Sequence, residues 1–162
     1  MFYVDRPGDY GLVCAKTDQS KGEGIRWWAG TNIKTGASGK DLYQGKNNTQ
    51  AIIRYQGDGD GSPYAALICD MLEITEGGVT FSDWYLPSIN ELDLMIKNNS
   101  IINETAIENG GSAFTHNYYW SSSESDLGLA WCRYYEGTSH NVLPLERIFS
   151  VRAVRRFKLE NK

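Results

Sequence analysis

The sequence predicts an α+β domain, with two main helices beside small, mostly antiparallel sheets and long irregular loops. One observation is that helix-capping signals and helical apolar periods are confined to the stretch before residue 100. Another is that the chain after Tyr118 contains only strand-like and loop-like sequence. A length of 162 residues suits a single domain with a core of its own, so we expect one domain over residues 1–162.

The first third of the chain predicts two strands, a long loop and the start of a helix. Residues 10–15 and 24–29 are short apolar runs between glycines and polar residues, which is typical of strands. Residues 31–46 are rich in Gly, Lys and Ser and have no period, so we expect a loop there. Residues 47–50 then offer an N-cap for a helix that contains residues 51–53.

The two main helices are predicted at residues 62–72 and 88–98. Ser62 and Pro63 supply an N-cap followed by a proline at the first helical position. The face expected to be buried in this helix comprises Tyr64, Leu67, Ile68, Met71 and Leu72. Ser88 and Glu91 form a capping box for the second helix, whose buried stripe is Leu92, Met95 and Ile96. Residues 100–117 predict an irregular connection with at most one helical turn, at residues 104–108.

The C-terminal part predicts strands whose core is formed by Trp120, Trp131 and residues 151–154. Residues 149–157 alternate Val and Ala with Arg, as a final strand would. Its three arginines, Arg152, Arg155 and Arg156, allow two interpretations. They could form a site for anions or sulfated glycans, or they could point outward and pair with nearby acids. The net charge of −4 favours the second interpretation.

The same region also contains segments with no helical or strand period, which alternate with the regular ones. Their apolar side chains need a covering partner if they lie in loops. A rigid frame that presents irregular loops is a common design for a binding site. We therefore predict a ligand-binding surface, whose apolar and aromatic members cluster on one exposed face. The predicted site residues are Ser125, Asp126, Leu127, Gly128, Leu129, Cys132, Tyr134, Ser139, His140, Asn141, Val142, Leu143, Pro144 and Leu145.

Composition and charge argue against several classes of protein. The acidic balance disfavours nucleic-acid binding, and no apolar run is long enough to insert into a membrane. The N-terminus lacks the basic and apolar regions of a signal peptide. The three cysteines have neither a disulfide framework nor metal-ligand spacing. A bridge between Cys14 and Cys69 stays open, but two buried thiols are favoured.

The sequence offers no clear catalytic or metal-binding group, so we predict a protein that is not an enzyme and needs no cofactor. His116 and His140 are the only histidines, and neither has a metal-type neighbourhood. The segment Asp58-Gly59-Asp60-Gly61 resembles the start of a calcium loop, but Cys69 occupies the position that needs a bidentate glutamate. A hydrolase that uses one of the histidines remains an alternative.

Several motifs, in this order along the chain, resemble the C-type-lectin-like domain at the C-terminus of bacterial collagen-like adhesins. Within that family the chain is most similar to the variable proteins of diversity-generating retroelements of gut bacteria or phages. The resemblance extends from about Tyr10 over nearly the whole chain. The motifs are residues 48–53, 64–69, 83–88, 91–92, 95, 119–124, 130–131 and 151–155.

The resemblance implies a mechanism for the segments without a period. In such systems an error-prone reverse transcriptase randomises the adenines of a template, and the copy replaces the 3′ end of the gene. Asn codons can then become codons for many residues, but not for Glu, Lys, Gln, Met or Trp. The predicted site residues include none of these five types. The variable segment would cover about residues 125–149, with Glu136 and Glu146 fixed by the template.

The resemblance also implies a location and a kind of partner. The protein would act on a bacterial cell surface or a phage virion and would bind an unknown protein or surface glycan. The sequence has no calcium-lectin sugar triplet, so calcium-dependent sugar binding is not expected. The main rival is a non-diversified adhesin that binds sulfated glycans.

Overall fold

The computed structural model describes residues 1–159 and contains four helices and three small antiparallel sheets there. This mixed α+β architecture confirms the predicted class, and the two predicted main helices are accompanied by the helix expected at residues 51–53 and by one that was not predicted. Residues 160–162 of the predicted domain lie outside the described residues. The strands are β1 (Tyr3–Val4), β2 (Tyr10–Cys14), β3 (Ile74–Glu76), β4 (Val79–Phe81), β5 (Tyr118–Asp126), β6 (Leu129–Tyr134), β7 (His140–Pro144) and β8 (Val154–Lys158). The helices are α1 (Gly45–Gln56), α2 (Ala65–Asp70), α3 (Ile89–Lys97) and α4 (Asn99–Glu108).

One sheet, in the order β1-β2-β8, joins the two ends of the described chain. The strand predicted at residues 10–15 is confirmed as β2, in which Tyr10 lies opposite Lys158 and Cys14 opposite Val154. The final strand is shorter than predicted, because residues 149–153 bond to scattered partners and not to one ladder. The amide of Gln19 donates to the Val151 carbonyl, for example, and the amide of Trp120 donates to the Ser150 carbonyl.

Residues 24–29 do not form the predicted strand, except for one isolated bridge between Ile25 and Phe149. Successive backbone amides here bond to different parts of the molecule. That of Trp27 donates to the Leu145 carbonyl, and that of Ala29 donates to the Gln56 side chain. The segment therefore fills a gap between elements, and its apolar residues are buried without any strand partner.

Helix α1 begins at Gly45, so Asn48 and Thr49 lie inside it and do not cap it. Both are buried because their side chains hold neighbouring segments. The Asn48 amide donates to the Gly39 carbonyl at 2.6 Å, and its oxygen accepts from the Gly39 amide at 3.1 Å. The Thr49 hydroxyl accepts from the Leu86 amide at 3.0 Å. Asn48 and Thr49, which the sequence suggested as part of a helix cap, thus form tertiary hydrogen bonds instead.

Helix α2 is shorter than predicted, and its buried face differs. Tyr64 is extended before the first turn, and Met71 at the end is 69% exposed. The buried helical residues are the small Ala65, Ala66 and Cys69, whereas Leu67 and Ile68 are only partly buried. A helix of 6 residues is too short to impose the apolar period on which the prediction depended.

Helix α3 agrees closely with its prediction, whereas α4 was missed. Ser88 and Glu91 form the expected capping box, and the predicted stripe is buried. In α4 only Ile102 and Ala106 are buried, while Ile101 and Ile107 are exposed. Because the apolar residues of α4 lie on several sides of the helix, the sequence shows no one-sided helical period. The β3–β4 hairpin was also missed, although Gly77 and Gly78 both have the positive φ that its tight turn requires.

The core consists of two clusters. The larger contains the fully buried Trp27 and Trp120, and the smaller lies between α3 and residues such as Tyr119 and Val154. Residues 151–154 are buried as predicted, but Trp131 is only partly buried and packs at the margin of the smaller cluster.

Arg152 does not point outward as the favoured interpretation required. Its side chain is completely buried, and its Nε lies 2.6 Å from the Asp18 carboxylate. Its guanidinium also donates to the carbonyls of Ser112 and Ala113. The arginine is therefore a core group that joins the start of the chain to its end.

All three cysteines are free, so the alternative of a bridge between Cys14 and Cys69 is wrong. Cys69 is completely buried, and Cys14 is partly buried. In the part of the chain that the structure describes, no helix has both the length and the apolar character to cross a membrane.

Candidate ligand-binding surface

Most of the predicted site residues lie in strands β5 to β7 and the turns between them, and not in irregular loops. The sheet has the order β5-β6-β7, with β7 at its edge. Two register shifts, between Trp120 and Glu124 and between Glu124 and Asp126, break the regular pairing of β5 with β6. The strands carry apolar side chains on both faces, because the inner face packs on the larger core cluster while Tyr119 and Trp131 on the opposite face contact the smaller one. A strand buried on both sides loses the alternation from which strands are recognised.

Residues 121–124 attach β5 to the surrounding frame through buried hydrogen bonds. The Glu124 carboxylate accepts from the amides of Thr35 and Gly36 at 3.0 and 2.9 Å. The Ser123 hydroxyl donates to the Gly39 carbonyl at 2.8 Å and accepts from the Ile89 amide at 3.0 Å. These bonds hold the long loop before α1 and the start of α3 against the strand.

Three further hydrogen bonds connect β5 to β6 and to the core. The Ser121 hydroxyl donates to the Trp131 carbonyl at 2.7 Å, and the Ser121 carbonyl accepts from the Trp27 indole at 2.8 Å. The Trp120 indole donates to the Ile25 carbonyl at 2.9 Å. Strand β6 therefore lies on a rigid support.

The register of β6 with β7 divides the site residues between two faces. Cross-strand partners project to the same face of a sheet. Ala130 and Cys132, opposite Leu143 and Asn141, belong to the inner face. Three pairs form the other face, which we call the outer stripe: Leu129 with Pro144, Trp131 with Val142, and Arg133 with His140.

Cys132 and Leu145 were predicted on the exposed surface, and that prediction is wrong for both. Each has 0% exposure and belongs to the larger core cluster. Burial raises the pKa of the Cys132 thiol to about 12, so this thiol is neutral and unreactive. Leu143 is partly buried against the same cluster. The three side chains anchor the sheet from within.

The turn between β5 and β6 is exposed as predicted. Leu127 is 54% exposed, and Ser125 and Asp126 are also on the surface. Gly128 has a φ of 77°, which favours glycine at this position. Hydrogen bonding to the Leu127 amide, followed by the charge of Lys34, lowers the pKa of the Asp126 carboxyl. The Gly128 carbonyl accepts from the Leu145 amide, so the turn contacts the end of β7.

Strand β7 provides the remaining predicted residues. Ser139 and His140 are exposed at its start, while Asn141, Val142 and Pro144 are partly buried. Leu129 and Tyr134 of β6 are also partly buried, and the Tyr134 ring lies 5.1 Å from that of Tyr118. Among residues 1–159, β7 pairs only with β6, so its other edge is open.

Four residues of this surface were not among the predicted site residues: Lys40, Asp93, Trp131 and Arg133. The Lys40 ammonium lies 4.3 Å from the centre of the Trp131 ring, and the His140 ring is perpendicular to that ring at 6.2 Å. Trp131 had been assigned to the core, although its position between Ala130 and Cys132 in a strand would have placed it on the opposite face. Nothing in the sequence indicates Lys40 and Asp93, because tertiary folding brings them here.

Burial and the charges around Asp93 determine the protonation state of His140. Asp93 contacts Arg133, and its carboxylate lies 2.6 Å from the Lys97 ammonium and 3.3 Å from His140 Nε2. A carboxylate so close would normally raise the pKa of a histidine, but two cations already compensate this one. Burial, followed by the charges of Arg133, Lys97 and Lys40, lowers the pKa of His140 below its usual value of 6.5. The imidazole is therefore neutral at pH 7.

The outer stripe and the adjoining turn combine apolar, aromatic, cationic and neutral imidazole groups on one side of the sheet. Such a mixture can bind a partner through an aromatic anchor surrounded by polar contacts. Within residues 1–159, no three His, Cys, Asp or Glu side chains come together in a group that could hold a metal ion. Neither a comparison with profiles of known protein families nor one with curated protein sequences finds a match.

Proposed function

We propose that the protein is a ligand-binding display module whose ligand contacts the outer stripe and the turn at Leu127. The observation that carries the proposal is the alignment of three cross-strand pairs around the partly buried Trp131. Tryptophan is over-represented among residues that dominate binding energy. Here the Lys40 ammonium and the His140 ring both lie close to the indole, where they can direct polar groups of a ligand.

The residues that hold the sheet in place differ from the residues that are exposed on its surface, and this separation supports the proposed function. The hydrogen bonds of residues 121–124 lie beneath the sheet and do not involve the exposed side chains of the turn or of β7. Substitution at Leu127, Ser139 or His140 therefore leaves the frame bonded. A rigid scaffold with substitutable surface residues allows one fold to serve several ligands.

The proposal includes diversification of this surface by a retroelement, as the resemblance implies. The α+β arrangement with small antiparallel sheets supports the C-type-lectin-like fold that belongs to the same proposal. Cys132 and Leu145 limit the diversity, because a large or charged residue at either buried position would disturb the core. The genomic test is a near-copy of the 3′ end of the gene, differing at adenines, beside a reverse transcriptase gene. Its absence from the native locus contradicts diversification but leaves ligand binding to be tested separately.

The binding experiment compares two display libraries of this protein. The first randomises Leu127, Ser139, His140 and Val142, and the matched control library randomises the exposed Lys21, Glu73, Glu104 and Glu108. Both are selected against the same panel of purified bacterial surface proteins and immobilised glycans. We expect specific binders from the first library at a higher frequency than from the control library. Equal frequencies contradict a dedicated surface on β6 and β7.

The rival arginine array for sulfated glycans has less support. Arg152 is completely buried against Asp18, and Arg155 binds Asp83 with two hydrogen bonds of 2.6 and 3.1 Å. Two of the three arginines are thus engaged within the protein. The test is a heparin column, on which the array requires retention that decreases as salt rises. The hydrolase alternative requires a measurable activity that His140→Ala or His116→Ala abolishes.

A further inference from the structure

A small pocket that shares no residue with the ligand-binding surface carries an inference of its own. Its volume is about 260 Å³, and it opens between the start of α1 and strands β2 and β8. Its walls include Tyr10, Lys46, Asp83, Tyr85, Arg156 and Lys158. The pocket is independent of the function proposed above.

The charges of this pocket are predominantly positive, in a protein whose net charge is −4. Lys46, Arg156 and Lys158 are its cations, and none of them forms an ion pair with another residue of the range 1–159. The carboxylate in its wall, Asp83, is compensated, because both its oxygens accept hydrogen bonds from Arg155. An uncompensated cluster of cations attracts an anion.

Arg156 is held in a geometry that suits an anion. Its guanidinium carbon lies 3.7 Å from the centre of the Tyr10 ring and 4.2 Å from that of Tyr43. The two rings are inclined by 60° to each other, so the guanidinium can lie flat on only one of them, and the two contacts together restrict its position. The Nε of Arg156 is buried and has no hydrogen-bond partner in the part of the chain that the structure describes. The two terminal NH2 groups of Arg156 are not buried in this way, and they are the donors that an anion in the pocket can reach.

The neighbouring elements bring the other two cations to the same place. Lys158 lies opposite Tyr10 in the β2–β8 ladder, two residues after Arg156 on the same face of β8. Lys46 is the second residue of α1, where the helix dipole favours negative charge. The cations thus approach the pocket from a helix and a strand whose positions are fixed by the fold.

We propose that this pocket binds a sulfate or phosphate group, either as the free anion or carried as an ester on a small polar molecule. The planar fork of Arg156 matches two oxygens of such a group, and the lysines add charge without a fixed direction. The volume is below the range of about 300–1,000 Å³ that is typical of sites for drug-sized ligands. A single small group or ring is therefore the largest occupant that fits within its walls.

The test uses the Arg156 Nε–Hε signal and the backbone amides in ¹⁵N NMR titrations. The probes are inorganic sulfate, inorganic phosphate, glucose 6-sulfate, glucose 6-phosphate and neutral glucose. We expect saturable shifts with the anionic probes, none with glucose, and weaker binding as sodium chloride rises. Stronger binding of the esters identifies a carried group, whereas equal or stronger binding of the ions identifies the free anion.

Substitutions then assign the binding to the pocket. Arg156→Gln should weaken binding by about tenfold or more, because it removes a charge-assisted hydrogen bond. Arg54→Gln is the matched control, since Arg54 is an exposed arginine in the last turn of α1. It should change the affinity by less than about twofold, as expected of a distant surface charge.

Lys46→Gln provides a variant that does not affect folding, because Lys46 is exposed. It should weaken binding several-fold while the melting temperature stays that of the unsubstituted protein. The proposal is overturned if no anionic probe shows saturable binding, if glucose binds as well as its esters, or if Arg54→Gln and Arg156→Gln have equal effects.

Discussion

At the scale of single residues, two tryptophans of one sheet differ in what they contribute. Trp120 is completely buried and hydrogen-bonded, whereas part of the Trp131 ring faces solvent beside Lys40. We expect Trp120→Ala to lower the free energy of unfolding by about 3–5 kcal/mol, because it leaves a large cavity. Trp131→Ala should lower it by clearly less. Urea denaturation measures both, and equal losses would show that Trp131 is a core residue after all.

Leu145 and Leu127 form a second contrast, since sequence reasoning placed them in the same site. Leu145 is completely buried, and Leu127 is 54% exposed. Leu145→Ala should cost about 2–5 kcal/mol of stability, as is typical of a buried leucine. Leu127→Ala should stay within about 0.5 kcal/mol, as is usual for surface substitutions. Thermal melts of the two variants provide the measurement, and similar shifts in both would place Leu127 in the core.

His140 makes the stability depend on pH in a predictable direction. Because its folded pKa lies below 6.5, protonation favours the unfolded chain. Its contribution is fully present above a pH of about 6.5 and decreases as the pH falls below that value. Between about pH 7 and about pH 5, the protein should therefore lose more stability than the His140→Gln variant does. Denaturation at several pH values measures this difference, and an NMR titration of His140 should give a midpoint below 6.5.

At the scale of elements, the sequence was sufficient to predict an element that interactions between nearby residues determine. The Ser88–Glu91 capping box involves residues three apart, so the sequence alone was enough to identify α3. Helix α4 and the hairpin of β3 and β4 expose apolar residues such as Ile101 and Val79, which obscures any period. Strands β6 and β7 were mistaken for loops because apolar residues occupy both faces, with Cys132 and Leu143 on the inner face and Leu129 and Val142 on the other.

Glu124 links one strand to a loop about 90 residues earlier in the chain, and this link gives a prediction for that loop. Glu124→Ala removes the acceptor of the Thr35 and Gly36 amides, so their hydrogen exchange should become much faster. The loss of stability should be about 1–3 kcal/mol for each amide that stays buried without a partner. Glu146→Ala, at an exposed position, is the control and should leave both amides protected. Unchanged exchange in Glu124→Ala would mean that other contacts hold the loop.

At the scale of the whole molecule, the sequence predicted the mixed α+β class of the fold; the position of the ligand site stays a prediction, and the sequence did not indicate the orientation of its side chains. That orientation depends on the pairing of β6 with β7 and on partners such as Asp93, which lies 40 residues before Arg133 in the sequence. The arginines near the end of the chain were hardest to interpret. Arg152 is buried, Arg155 is paired with Asp83 at the surface, and Arg156 contacts two tyrosine rings.

Because β2 pairs with β8, folding has to wait until residues 154–158 have been synthesised. A ribosome that stops anywhere in residues 125–149 releases a chain without β8 and without Arg152, the partner of Asp18. Such a product should be unfolded and rapidly degraded, whereas the chain of 162 residues should be folded. Soluble yield and circular dichroism of a chain shortened to residue 149 and of the unshortened chain provide the measurement. If the segment is diversified as proposed, every variant still depends for its fold on residues 151–158, which follow the variable segment and contribute Arg152 and β8.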